Sequence, residues 1–402
     1  MFWQFIHIID IALWLLMAAS VAYILFFALV STLWKKRVSR LTTYLTGQVL
    51  AMRKKDFFSY LILYPAYNED RVIVNSVQKF LAQYYPYSCF HVVVISDHMQ
   101  PETNQKLSEL PITLLQPVFE KSSKAKAMQY AMDQIKDDYD FIVILDADNV
   151  VGSHFLEQLN TECAKGYKAI QCHRCAKNND NDIAVLDGVS EEINNTIFRK
   201  AHNRVGLSSA LIGSGMCFDF QWFKENVYKL TTAGEDRELE ALLLQQKVYI
   251  HYEPDIHVFD EKVSNKDNFQ KQRLRWMTAQ IQSLFRLLPY IPKAITTFNL
   301  DYIDKTIQQA LIPRSMLVVG ALGMSLLMTA FSLLFSLSWY IKWWCLFLAV
   351  CIALYIATPK QLRKHSVFGK ILALPKLVWK MAANLLKIDR KSTDFIHTSH
   401  EK

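Results

Sequence analysis

The chain has 402 residues, 51% of them apolar and 20% charged, with a formal net charge of +8. That is too apolar for a disordered chain and too charged to lie wholly inside a bilayer. Eleven glycines and eleven prolines exclude collagen-like and low-complexity classes, and seven cysteines at irregular spacing form no disulfide framework.

In chain order, the first element is a run without charge from Ile11 to Trp34. A spanning helix needs about 20 such residues. Lys35, Lys36, Arg37 and Arg40 follow the run and only Asp10 precedes it, the reverse of a signal peptide. The pattern predicts an uncleaved transmembrane helix over 8–34.

The middle of the chain alternates between strand and helix. Tyr60–Tyr64 is a short apolar run closed by Pro65, and Val72–Tyr84 has helical periodicity. Phe90–Ile95 is a second strand ending at Ser96-Asp97, Ile112–Leu115 a third, Ser123–Ile135 a helix, and Phe141–Leu145 a fourth strand ending at Asp146-Ala147-Asp148. Continuous apolar strands between helices predict an α/β domain with a mainly parallel sheet covered on both faces. Ligands of such sheets bind beyond the carboxyl ends of the strands, where Asp97 and Asp146 stand.

From Ser315 to Pro359 the only charge is Lys342. That length holds two spans of about 20 residues, expected at 314–336 and 339–359. Ser336-Leu337-Ser338 would turn between them, with Trp339, Tyr340, Trp343 and Trp344 as an interfacial belt and Lys342 reaching to the far surface. No acidic residue occurs between Lys305 and Ile388. Residues 361–388 read as a basic amphipathic segment lying on anionic lipid, followed by a polar tail, 389–402. The basic clusters at 35–40 and after Pro359 put the middle segment in the cytoplasm by the positive-inside rule. Positive charge that faces lipid argues against a nucleic-acid partner. A transporter would need polar or broken helices at bilayer depth.

Asp146-Ala147-Asp148 at a strand mouth offers two oxygen ligands to a hard divalent cation. The alternative is a polar loop capping the next helix. Its company is Pro65-Ala66-Tyr67-Asn68-Glu69, Ser96-Asp97, Lys124 at a helix start, Gly234-Glu235-Asp236 and Gln272-Arg273-Leu274-Arg275-Trp276. In this order the motifs resemble a family 2 inverting glycosyltransferase of the membrane-embedded branch that includes cellulose, chitin, hyaluronan and poly-N-acetylglucosamine synthases. The resemblance covers about residues 57–285. It implies a GT-A-type, Rossmann-like domain, 57–290, joined by an interfacial linker, 291–313, to the later spans.

By that resemblance Asp236 is the catalytic base and Asp148 the metal ligand, for Mg²⁺ or Mn²⁺. Tyr67, Glu69, Asp97, Lys124, Asp146 and Arg275 contact the nucleotide-sugar. Gln272, Arg273 and Trp276 contact the pyrophosphate and the acceptor. Gly213, Ser214 and Gly215 form a loop beside the donor sugar, with an ordinary turn as the alternative. The chemistry asks for these types independently. A sugar hydroxyl needs a carboxylate to accept its proton, an Arg fork matches phosphate oxygens, and an indole offers a sugar ring an apolar face.

Three departures from the family pattern stand out. Ser96-Asp97-His98-Met99 replaces Asp-Asp-Gly-Ser, Ser123 replaces a glycine, and Gly234 replaces a threonine. Cys172-His173-Arg174-Cys175 has no second cysteine pair at metal spacing, which argues against a zinc site. His251 and His257 receive no role. The implied partners are a nucleotide-sugar, expected to be a UDP-sugar, a glycan or lipid-linked acceptor, and the bilayer, expected to be a bacterial inner membrane. The pentapeptide favours a processive β-glycan synthase moving a hexose or N-acetylhexosamine. Three spans are few for a polymer channel, so such an enzyme would form a homo-oligomer or use a separate exporter. The alternatives are single-sugar transfer to a lipid-linked or glycan acceptor, and a non-catalytic nucleotide-binding scaffold.

Overall fold

A computed structural model describes residues 2–34, 55–178, 182–232, 234–262, 266–331 and 337–363. The basic cluster at 35–40, Ser336, and the segments 364–388 and 389–402 lie outside the described residues.

The chain opens with helix α1, Phe2–Leu33. The middle segment then builds an eight-stranded sheet: β1 Tyr60–Tyr67, β2 Phe90–Asp97, β3 Thr113–Leu115, β4 Phe141–Ile144, β5 Val150–Val151, β6 Ala169–Ala176, β7 Met216–Asp219 and β8 Ile250–Asp260. Its order is β3-β2-β1-β4-β7-β6-β8-β5. Four of the seven pairings are parallel and three, all involving β7 or β5, are antiparallel. The sheet is therefore mixed and mainly parallel; the alternating pattern predicts its parallel part, and the GT-A resemblance implies a mixed sheet.

The helices of this segment are α2 Ile73–Leu81, α3 Pro101–Ser108, α4 Lys124–Gln134, α5 Phe155–Cys163, α6 Asp182–Asn194, α7 Phe220–Asn226 and α8 Glu235–Gln245. Helix α6 runs on into a π-helical stretch, Asn195–Ala201. Alternate residues of the central strands feed separate cores on the two faces. Tyr60, Ile62 and Tyr64 pack on one face with Val92, Val94 and Phe141, and Leu61 and Leu63 pack on the other with Val93, Ile95 and Ile142. Strands buried on both faces carry the unbroken apolar runs seen in the sequence.

Strand β1 runs through Pro65, which sequence reading took as its end. Leu63 O accepts from Leu145 N, so Leu63 and Pro65 face β4. Pairing with β4 stops at Leu63, and the missing N–H of Pro65 falls where no partner strand remains.

Helix α9 spans Lys266–Leu287, α10 Ile291–Thr296, α11 Leu300–Ala310, α12 Arg314–Ala330 and α13 Leu337–Ala357. Two helices, at Trp3–Leu33 and Trp339–Ala357, are long and apolar enough to cross a membrane. Together α11 and α12 would make a third, bent by 50°. The bend falls at Pro313, where a proline cannot continue the hydrogen-bond ladder of α11. Met17, Val21, Ile24 and Ala28 of α1 pack with Leu317 and Ala321 of α12, Trp343 and Val350 of α13, and Val189 and Ile193 of α6. Arg204 donates to Ser31 O, in the last turn of α1, and at 3.4 Å to Val30 O, which also accepts from Trp34 N at 3.1 Å.

Three expectations for the apolar helices are corrected. Lys342 does not reach outward alone but pairs with Asp10 of α1. Trp343 is not interfacial; it is fully buried and donates from Nε1 to Asp10 Oδ1 at 2.8 Å. An unpaired carboxylate among apolar helices is costly, and these two donors are what Asp10 needs. Leu337 and Ser338, expected in a turn, belong to α13.

Candidate active site

The carboxyl ends of β1, β2 and β4 converge. Tyr67 and Asp97 are register partners at the ends of β1 and β2. The next residues, Asn68 and His98, turn both strands away at φ of 54° and 57°. His98 thus occupies the left-handed conformation in the position where the family pattern has glycine, and its Nδ1 lies 2.5 Å from Asp97 Oδ1. Its ring lies 5.3 Å from that of Tyr67. Glu69 follows on the same rim.

Beyond β4, Asp146 and Asp148 are fixed by the turn between them and Asn149. Asn149 N donates to Asp146 O at 3.0 Å, and Asn149 Oδ1 accepts from Asp146 N at 3.1 Å. Asn149 Nδ2 donates to Asp148 Oδ1 at 3.0 Å and to Asp260 Oδ1 at 3.3 Å. Asp148 Oδ2 accepts from Glu261 N at 2.8 Å. Asp148 is buried, and burial together with Asp260 and Asp146 pushes its carboxyl well above the usual range.

Lys124 is the first residue of α4. Ser123 caps that helix, its side chain accepting from Lys126 N, so a serine in the glycine position of the pattern does cap work. Lys124 Nζ pairs with Asp146, donates to Gly213 O at 2.7 Å and lies 3.7 Å from Glu235 Oε1. Burial disfavours this ammonium, but Asp146 and Glu235 outweigh it and hold its pKa above the ordinary value. Glu235 is pushed up to about 7 by burial, with Lys124 opposing. Asp236 sits beside it in the first turn of α8, where the helix dipole favours acids. Asp236 Oδ1 accepts from Arg237 N at 2.8 Å, and a Cβ on Gly213 would come within 3.8 Å of Oδ2.

The pentapeptide lies on α9. Arg273 donates to Asp187 Oδ1 at 2.6 Å, with its guanidinium 4.7 Å from the centre of the Trp276 ring. Gln272 Oε1 is buried with no hydrogen-bond partner among the described residues, an unmet acceptor of the kind ligand sites carry.

One cavity of about 780 Å³ collects nearly all of these groups. Tyr67, Glu69, Asp97, Lys124, Asp146, Asp148, Gly213, Asp236, Gln272, Arg273, Arg275 and Trp276 all line it. Ser214 and Gly215 do not. Ser214 is fully buried, and a Cβ on Gly215 would lie 2.9 Å from Val258, so packing against β8 holds these two behind the wall. Gln171 pins the loop there, donating to Ser214 O at 2.9 Å and accepting from Ile212 N at 3.0 Å.

Sequence reading missed a buried ionic layer behind the acids. Arg174 of β6 reaches Glu191 at 2.9 Å, Asp260 at 3.7 Å and Asp146 at 4.0 Å. Lys262 bonds Asp260 at 2.7 Å and Glu191 at 3.3 Å. Burial works against the Glu191 carboxylate, but Arg174, Lys262 and Arg199 hold it well below the usual range. Two signals were available. Arg174 is a charge inside an apolar strand, and Asp187, Ser190, Glu191 and Asn194 form one helical stripe. That stripe lines the cavity.

The ligand atoms that Asp146 and Asp148 offer are carboxylate oxygens, which suit a hard dication such as Mg²⁺ or Mn²⁺. Acids at strand ends, a lysine beside them and an arginine-bearing helix on the same cavity place the chain in the class of α/β proteins whose site lies at the carboxyl edge of the sheet. The chain belongs to the family described as Glycosyltransferase like family 2, whose profile matches residues 59–279. Its mixed, mainly parallel sheet with covering helices is GT-A-like.

Several solved structures resemble the chain. One is the mannosyltransferase PcManGT from Pyrobaculum calidifontis in complex with GDP-Man and Mn²⁺, 15% identical over 85% of this chain and 99% of that chain, at a TM-score of 0.46. Others are S. aureus TarS 1–349, 14% identical over 65% and 85% at 0.39, and the same protein with UDP-GlcNAc, 14% identical over 73% and 92% at 0.37. No curated protein matches the chain in sequence.

Proposed function

We propose that the chain is a membrane-bound, inverting glycosyltransferase that moves a hexose or N-acetylhexosamine from a UDP-sugar to an acceptor hydroxyl. The observation that carries this reading is the shared cavity: the acidic strand-end motifs, Asp236 and the pentapeptide line one space. Tyr67, Glu69 and Asp97 would flank the nucleobase and ribose, and Lys124 and Asp146 the nucleotide. Arg275 and Arg273 would face the diphosphate. Asp148 would hold Mg²⁺ or Mn²⁺, which supplies screening of the leaving diphosphate's charge. Asp236 accepts the proton of the attacking hydroxyl. We assign the catalytic domain to 57–290 and the linker to 291–313, with spans at 8–34, 314–336 and 339–359 in a bacterial inner membrane.

Asp236→Asn keeps the shape of the side chain but not its basicity. Transfer of labelled sugar in washed membranes is expected to fall by about 10²–10⁴ while UDP binding persists. Turnover above about a tenth of wild type removes Asp236 from the role of base.

Two acceptor classes have separate support. The cavity continues among Ile24, Val189, Ile193, Val318 and Leu354, an apolar lining suited to a lipid-linked acceptor. Trp276, also on the cavity wall, suits a sugar ring of a growing chain. The wild-type product ladder separates them. One product of fixed size is expected for the lipid-linked acceptor, and an extending ladder would favour processive synthesis.

A further inference from the structure

The Cys172-His173-Arg174-Cys175 segment and His257 remain outside the proposed chemistry, and the fold resolves them differently from their spacing. Cys172 points into the core beside Val258 and is fully buried. His173 and Cys175, two apart on β6, take the opposite face. Strand β8 brings a third donor to that face. Its register against β6 jumps between Cys172↔Glu253 and His173↔His257. The jump sets His257 beside His173, where continuous pairing would have put Pro254. Bulges of this kind re-aim a side chain at a chosen place.

We propose that His173, Cys175 and His257 form a binding site for a borderline-soft divalent cation such as Zn²⁺, separate from the hard-cation site at Asp148. One ligand atom from each of the three lies within 4.8 Å of the other two. Two imidazoles and a thiolate are the donor set that selects Zn²⁺ over Mg²⁺. The His173 and His257 rings are 5.1 Å apart. His257 is exposed and its two partners half-buried, which gives an ion a way in.

The surroundings suit a ligating histidine. Glu192 of α6 lies 2.9 Å from His173 Nε2. A carboxylate only accepts, so Nε2 carries the proton and the lone pair sits on Nδ1, where it accepts from the Tyr252 hydroxyl at 2.7 Å. A metal takes that lone pair from the hydroxyl and leaves Glu192 to hold the ring, the usual carboxylate–histidine arrangement beside a metal. A thiol binds as the thiolate, so metal entry would release the Cys175 proton. The bound ion would join β6 and β8 under α6, whose other residues Asp187 and Glu191 hold Arg273 and Arg174.

The test uses the full chain in detergent, stripped with a chelator and titrated with Co²⁺. One equivalent is expected to give thiolate-to-cobalt absorption in the near ultraviolet, bleached by Zn²⁺ and untouched by excess Mg²⁺. Cys175→Ser should abolish that absorption. His257→Ala, at an exposed position whose ring contacts are His173 and Phe259, and Glu192→Gln should each weaken Zn²⁺ by about 10–100-fold. Asp148→Ala should leave the absorption intact. A folded wild type with no thiolate band, or a band that survives Cys175→Ser, overturns the proposal.

Discussion

Glu69 is pushed up to about 8, first by burial and then by Asp146 and Glu261, from an ordinary 4.5. With Glu235 at about 7 and Asp148 well above its usual range, the rim holds carboxyls that stay protonated when folded. The unfolded chain releases those protons above its ordinary carboxylate range, so between about pH 5 and 8 the folded state binds more protons. Stability therefore falls as pH rises through this window. Glu191 and Asp260, held low by Arg174 and Lys262, have the opposite sign and matter only in stronger acid. The melting temperature of chelator-treated protein is expected to drop from pH 5.5 to 8.5, and Glu69→Gln to flatten the slope. Mn²⁺ should flatten it too, since a dication favours the ionised carboxylates, with proton release measurable by calorimetry in two buffers. A slope that Glu69→Gln and Mn²⁺ both leave unchanged would show that these acids are not charged against one another. Asp97 and Asp146 were legible because each stands at the end of a recognisable strand, and Glu69 through its motif. Arg174 and Glu191 left a local signal, a charge in a strand and a polar helical stripe, but their pairing with Asp260 did not, since it forms only where β6 meets β8.

At the scale of elements, apolar runs identify β1, β2, β3 and β4, because buried parallel strands leave little room for polar residues, and periodicity identifies α2 and α4; the short, polar α3 was not foreseen. The antiparallel placement of β7, the register jump in β8 and the π-helical continuation of α6 depend on long-range partners and leave no local period. The apolar helices show the same division. Their lengths follow from composition, whereas the pairing of Asp10 with Lys342 and Trp343 needs α1 and α13 side by side. Removing one partner leaves the other charge uncompensated, at a cost of about 3–5 kcal/mol. Asp10→Ala and Lys342→Met are each expected to lower the melting temperature in detergent. The double variant should recover part of the loss, because no uncompensated charge remains while Trp343 Nε1 still lacks its acceptor. A double variant no better than the sum of its parts would mean that the pair contributes no coupling.

Across the whole molecule, the cavity ties the sheet to the apolar helices. Arg314, where α12 begins, donates to Ser190 O and Oγ of α6 at 3.1 Å each. Tyr23 of α1 donates to Asp304 of α11 at 2.7 Å and lies 2.8 Å from His202 Nε2. The domain is thus seated on the helices by polar bonds around an apolar passage. Ile24 of α1 is buried at 1% exposure and still lines that passage. If the acceptor arrives from the bilayer by this route, narrowing it should block acceptor entry without touching the nucleotide. Ile24→Trp adds bulk there and is expected to cost about 1–3 kcal/mol of stability from overpacking. Its UDP affinity should match wild type, which also reports that the domain is folded. Transfer to the native membrane acceptor should fall by about ten-fold or more, since misplacement by an ångström has effects of that order. Transfer to a short water-soluble acceptor should hold. Equal losses with both acceptors would mean that Ile24 acts on the chemistry or the fold. Full activity with the membrane acceptor would mean that it reaches Asp236 by another path.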